Sequence, residues 1–92
     1  MQESSSVEVL ISGRVQGVGY RAATVEQASS LGVNGWVTNL SSGQVKAVFE
    51  GPKPAVEQMI AWCHTGPPAA AVEAIAVNAS AWQDIQGFEI RS

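Results

Sequence analysis

The chain has 92 residues, 46% of them hydrophobic and 14% charged, with a formal net charge of −3. That supports one domain with one modest core, and excludes a disordered chain of low hydrophobicity and high charge. Five basic residues against eight acidic ones argue against an electrostatic nucleic-acid binder. A single cysteine (Cys63) and a single histidine (His64) exclude an intrachain disulfide and a Cys/His zinc site. No metal and no cofactor are therefore expected. No run of about 18 apolar residues is present, so no membrane span is expected. Residues 1–6 are polar and lack a basic start followed by an apolar run. They read as a disordered N-terminal tail of a cytoplasmic protein rather than as a secretory signal, leaving residues 7–92 as a single domain.

Val7, Val9 and Ile11 alternate with Glu8, Leu10 and Ser12, the period-2 pattern of a strand. A loop with three glycines follows, Gly13 to Arg21. From Ala22 the pattern turns helical, with Ala22, Val25, Ala28 and Leu31 three residues apart. Gly32 supplies a left-handed cap and Val33 its apolar contact. Residues 35–40 predict a second strand, Ser41-Ser42-Gly43 a hairpin loop, and residues 45–50 a third strand closed by Gly51-Pro52. Val56, Met59, Ile60 and Cys63 then form one helical stripe, with Pro54 in the first turn and Gly66-Pro67-Pro68 as the stop. Residues 72–78 predict a fourth strand, and residues 87–91 a short fifth or a return of the chain to the sheet. This order, βαββαβ, predicts a ferredoxin-like α+β sandwich: an antiparallel sheet with two helices, near 22–32 and 54–65, on one face.

The glycine loop joins a strand to a helix. Helix N-termini carry unpaired N–H groups and the positive dipole end, and glycines let successive N–H groups converge on one anion. Gly13, Gly17 and Gly19 fit neither the Walker nor the Rossmann spacing, so a plain tight turn is an equal reading from spacing alone. Arg21 tips the balance. A cation in the first turn opposes the dipole by about 0.3–1 kcal/mol, which makes sense if an anion sits between it and the loop. Its guanidinium matches phosphate oxygens bidentately. The alternatives are an arginine in solvent or on a carboxylate, and Arg14 competes for the same role. Asn39 stands at a strand end beside the hairpin. On its own it reads as a turn-promoting residue, although an amide can orient a water without being a base. His64 at a helix end and Cys63 on the apolar stripe read as structural. Trp36, Trp62 and Trp82 read as core or partly buried packing.

The run Val9-Leu10-Ile11-Ser12-Gly13-Arg14-Val15-Gln16-Gly17-Val18-Gly19-Tyr20-Arg21 resembles the first signature of the acylphosphatases. Gly35-Trp36-Val37-Thr38-Asn39, with Gly43-Gln44-Val45 and Glu50-Gly51-Pro52, resembles their second, and the likeness extends over nearly all of residues 7–91. The resemblance implies hydrolysis of acyl phosphates to a carboxylate and inorganic phosphate. It implies that the loop backbone of Val15, Gln16, Gly17, Val18, Gly19 and Tyr20, with Arg21, holds the phosphoryl group. It also implies that Asn39 positions the attacking water and that the bound phosphate takes the water's proton. Tyr20 departs from the commoner phenylalanine and Thr38 from a basic or longer polar residue, which leaves the substrate preference open.

No general base, metal set or nucleophile is evident near these residues, and phosphoryl transfer can rest on positioning and charge stabilisation. The expectation is a monomeric enzyme acting on a small-molecule acyl phosphate, with inorganic phosphate or sulfate as competing anions. Two other classes stand beside it. A non-catalytic phosphate-binding module would keep the loop and Arg21 without needing Asn39. An RNA-binding domain of the same fold would call for aromatics on the central strands and a basic face, whereas the first strand offers Val, Leu and Ile.

Overall fold

The computed structural model describes residues 3–92. Its elements are β1 (Ser4–Arg14), α1 (Tyr20–Leu31), β2 (Asn34–Asn39), β3 (Val45–Pro52), α2 (Lys53–Cys63), β4 (Ala71–Ala79) and β5 (Phe88–Ile90). The strands form one sheet in the order β4-β1-β3-β2-β5. β1 runs antiparallel to β3 and β4, and β2 antiparallel to β3. The fifth strand departs from the all-antiparallel expectation, because it enters along the free edge of β2 and runs parallel to it.

The alternating apolar residues of β1 and β3 share one face: Val7 lies opposite Phe49, Val9 opposite Ala47 and Ile11 opposite Val45. Both helices cover that face. Ala28 of α1 and Val56, Met59 and Cys63 of α2 join Val9, Ile11, Val37, Val45, Ala47 and Phe49 in one buried core. Phe88 of β5 stacks on Phe49 with ring centroids 5.8 Å apart, sealing the β5 side.

Gly32 closes α1 at φ 71°. Its N–H bonds Ser29 O, and the Val33 N–H bonds Ala28 O at 2.9 Å, the paired bonds of a Schellman motif. The helix starts at Tyr20 rather than Ala22, and its buried face is Tyr20, Thr24 and Ala28. Val25 and Leu31 are only partly buried, and Ala22 is exposed. Thr24 can occupy the core because its hydroxyl donates to Tyr20 O at 2.7 Å, which hides the one polar atom it brings.

Two sequence expectations are corrected at or near the molecule's surface. Residues 4–6 are part of β1, with Ser4, Ser5 and Ser6 opposite Pro52, Gly51 and Glu50. The far end of β3 offers them a ladder that their polarity does not advertise. Residues 1–2 of the expected tail lie outside the described residues. Trp82 is 52% exposed rather than packed, and the backbone that follows it is held by Glu50.

Glu50 is fully buried at the end of β3. Its carboxylate accepts the Gln83 N–H at 2.6 Å, the Ile85 N–H at 3.0 Å and the Ser6 hydroxyl at 3.0 Å. Burial works to raise its pKa. The N–H groups of Ile85 and Gln83, the Ser6 hydroxyl and the Asp84 N–H outweigh that, and the net shift is downward. The carboxylate thereby fastens the β4–β5 connection to the sheet. A folded-state pKa below the unfolded value of about 4.3 contributes stability that is complete above that value and lost as pH falls through the folded one. Glu50→Gln is expected to cost about 1.5–3 kcal/mol at neutral pH and to flatten the acid limb of stability. Urea unfolding measured across acid pH checks both. A mutant limb as steep as wild type would show that Glu50 is not the titrating group.

Candidate functional site

β1 and β2 both run antiparallel to β3, so they are parallel to each other, and β5 is parallel to β2. The C-terminal ends of these three strands therefore meet at one end of the sheet. The loop after β1, Asn39 at the end of β2 and Ile90 at the end of β5 converge there, at the head of α1. A cavity of about 180 Å³ opens at this point, lined by Val15, Gly17, Gly19, Tyr20, Arg21, Ala22, Asn39 and Ile90. At roughly 30 Å³ per liquid water, it has room for a phosphate of five heavy atoms with space to spare.

The loop's shape follows from its glycines. Gly17 and Gly19 have φ of 73° and 81°, a left-handed backbone that costs other residues free energy. Gly19 is the N-cap of α1, so no side chain caps this helix. The first backbone bond after the loop runs from Ala23 N–H to Gly19 O at 3.0 Å. The N–H groups of residues 16–22 have no acceptor among the described residues. This is the geometry of an anion-receptive nest at a positive helix end.

Arg21 stands in the first turn, partly exposed and lining the cavity. Ion pairs join Lys46 to Glu8, Lys53 to Glu3 and Arg91 to Glu89. Arg21 joins none among the described residues, which removes the carboxylate-partner alternative. Arg14 is exposed and does not line the cavity. Asn39 is the last residue of β2, and its side-chain Oδ1 is buried without a hydrogen-bond partner. A turn-promoting asparagine would spend that oxygen on a nearby N–H. This one leaves it unpartnered, in a residue that lines the cavity.

The loop residues named from the sequence divide. Val15, Gly17, Gly19 and Tyr20 line the cavity, whereas Gln16 and Val18 do not. Val18 packs against the core. The Gln16 side-chain amide donates to Leu40 O at 2.8 Å and to Gln44 O at 2.9 Å. Gln44 in turn donates to the Ser12 hydroxyl at 2.9 Å and accepts from Ser42. Gln16 thus clamps the β2–β3 hairpin to the loop and fixes Asn39 beside it. Tyr20 faces the core with its ring: it is 1% exposed, its ring centroid lies 5.6 Å from that of Trp62, and its hydroxyl donates to Cys63 O at 2.7 Å. Burial, and then its contacts with Cys63, raise the pKa of that hydroxyl, so it stays a neutral donor. Burial likewise pushes the Cys63 thiol up to about 12, and Cys63 is a core residue. His64, the C-cap of α2, is exposed and lies outside the cavity. Ile90 and Ala22 were not singled out from the sequence. Alternation in Phe88-Glu89-Ile90 pairs Phe88 with Ile90 on one face, yet the partner of so short a strand cannot be read from it.

An α+β sandwich with an anion-receptive loop heading α1, a free arginine and a strand-end asparagine defines a small phosphate-handling class of the ferredoxin-like fold. The comparisons narrow the class. Residues 7–90 match the family model described as Acylphosphatase. The acylphosphatase of Trichormus variabilis is 53% identical over 85 residues, 92% of this chain and 84% of that one. The acylphosphatase of Natronomonas pharaonis is 50% identical over 91 residues, 99% of each chain. The structure of an acylphosphatase from Coxiella burnetii superposes with a TM-score of 0.92 at 34% identity, covering 96% of this chain and 93% of that one. The chain belongs to the acylphosphatase family.

The Gln16 clamp has a measurable consequence. Gln16→Ala removes two hydrogen bonds, although Leu40 O and Gln44 O keep the Gly43 and Leu40 N–H groups, and is expected to cost about 1–3 kcal/mol. Its local signature is faster hydrogen exchange in residues 39–45, with α2 amides changed only by the global loss. Uniform acceleration across the chain would show that Gln16 supports the fold at large and not the hairpin.

Proposed function

We propose that the chain hydrolyses the carboxyl–phosphate anhydride of a small-molecule acyl phosphate. The phosphoryl group is held by the backbone N–H groups of residues 15–20 and by Arg21, and the attacking water is positioned by Asn39. One observation carries this reading: the cavity at the head of α1, which no side chain caps, is lined by Arg21, without an ion-pair partner among the described residues, and by Asn39, whose buried Oδ1 has no hydrogen-bond partner. Membership of the acylphosphatase family supports it.

Each group then has one task. The loop N–H groups and the helix end bind phosphoryl oxygens, and the Arg21 fork neutralises charge that grows on them in the transition state. Asn39 Oδ1 accepts a hydrogen bond from the water, which orients the water oxygen toward phosphorus. The water oxygen bonds phosphorus, the bond from phosphorus to the acyl oxygen breaks, and a carboxylate leaves with the electron pair. No Asp, Glu, His or Cys lines the cavity, so the water's proton passes to an oxygen of the bound phosphoryl group. The leaving carboxylate needs no protonation, which relieves the site of a general acid. The lone free thiol, Cys63, is in keeping with a cytoplasmic setting.

Hydrolysis of a simple aryl acyl phosphate tests the assignment. Arg21→Ala is expected to weaken phosphate binding and slow turnover together, with poor rescue by lysine, which lacks the planar fork. Asn39→Ala is expected to lower kcat about 10²–10³-fold, roughly 2.7–4 kcal/mol, while inorganic phosphate still binds. Phosphate and sulfate should compete with substrate. An Asn39→Ala protein that keeps its kcat and loses only stability would leave Asn39 as a turn residue. Phosphate binding without turnover in wild type would make the protein a binding module.

A further inference from the structure

The parallel register sets Ile90 opposite Val37, which is fully buried under the helices. Ile90 therefore projects from the helix-covered face of the sheet. It is the last residue of an edge strand, and it remains 46% exposed. Phe88, two residues earlier on the same face, is covered by Phe49. Ile90 instead lines the cavity that holds Arg21 and Asn39. Ala22, exposed in the first turn of α1, adds a methyl group to the lining. The cavity thus has two kinds of wall: N–H donors with one guanidinium, and an apolar wall that includes an isoleucine open to solvent. Arg21 is the only charged side chain in its lining.

An acyl phosphate divides in the same way, into a dianionic phosphoryl end and an acyl end. We propose that Ile90 and Ala22 form the acyl subsite, and that the preferred substrates carry an apolar acyl group, aliphatic or aromatic. This rests on the phosphoryl group occupying the loop with Arg21. With Arg21 so engaged, an apolar acyl group gains by covering Ile90. An acyl group bearing a second carboxylate loses hydration there and finds no partner.

The test compares kcat/KM for benzoyl, acetyl and succinyl phosphate, the last carrying a free carboxylate on its acyl end. Wild type is expected to rank them benzoyl, acetyl, succinyl. Ile90→Thr keeps the β-branch that suits a strand and is expected to lower the benzoyl-to-acetyl ratio about tenfold, the discrimination of a lost apolar contact. Ile90→Lys is expected to raise the succinyl-to-acetyl ratio. If Ile90→Thr fails to fold by circular dichroism, Ile90→Val gives the same comparison with a smaller change. Rates that fall together with unchanged ratios would make Ile90 a prop for β5 and overturn the subsite, as would a wild-type preference for succinyl phosphate. Failure of the phosphoryl assignment shows differently, as an Arg21→Ala protein that keeps its activity on all three. Wild type inactive on all three overturns both readings.

Discussion

The chain has five residues, Val15–Gly19, in which to leave β1 and enter α1. That constraint governs the site. A reversal so short cannot bring a second segment alongside to pair its backbone, and it ends on a glycine that has no side chain to cap the helix. Left-handed conformations at Gly17 and Gly19 keep the turn tight. The result is a row of unspent donors at the positive end of a helix. In water these donors are hydrated and cost little. On the proposed function they would meet a phosphoryl group together, already oriented, so binding would not have to order them. The rest of the fold serves to hold this row still and to bring Asn39 and Ile90 up to it.

The molecule solves the same problem twice, in opposite ways. At the far end of β3, the Glu50 carboxylate gathers the Gln83 and Ile85 N–H groups and becomes an internal anion fully served by the protein. At the near end the N–H groups of the loop have no such carboxylate. One end is closed by its anion and holds the β4–β5 connection in place. The other keeps its N–H groups without an acceptor among the described residues. The two ends are linked, because the connection fastened by Glu50 leads into β5, and β5 carries Ile90 to the cavity. The two ends are thus joined through the three residues of parallel strand in β5.

Much of this was legible in the sequence. Alternation in β1 and β3, the stripe of α2 and the glycine stop of α1 are local patterns, and they read correctly. Arg21 was legible because a cation in a first turn runs against the dipole and calls for a reason. What escaped depended on partners distant in sequence. Ser4–Ser6 are polar and become strand only because β3 extends past them. Thr24 reads as surface until its hydroxyl is seen turned back on Tyr20 O. Gln16 sits inside the signature and reads as part of the loop. Its side chain instead crosses 24 residues of sequence to Leu40. The unpaired Oδ1 of Asn39 cannot be inferred from residue type at all, since asparagine usually finds a local partner.

Charge makes the same point on the scale of the whole chain. A net charge of −3 describes a protein that should repel a dianionic substrate. The distribution says otherwise. Of the five basic residues, Lys46, Lys53 and Arg91 each have a glutamate partner at 3.1–3.6 Å. Such exposed pairs add little stability, but they cancel the field of the cations involved. The two without an ion-pair partner among the described residues are Arg14 and Arg21, at the two ends of the loop. The uncompensated positive potential therefore lies where the free N–H groups and the helix end already lie. Two arginines, one helix end and seven N–H groups without a partner among the described residues are thus gathered at one place on a chain that is acidic as a whole.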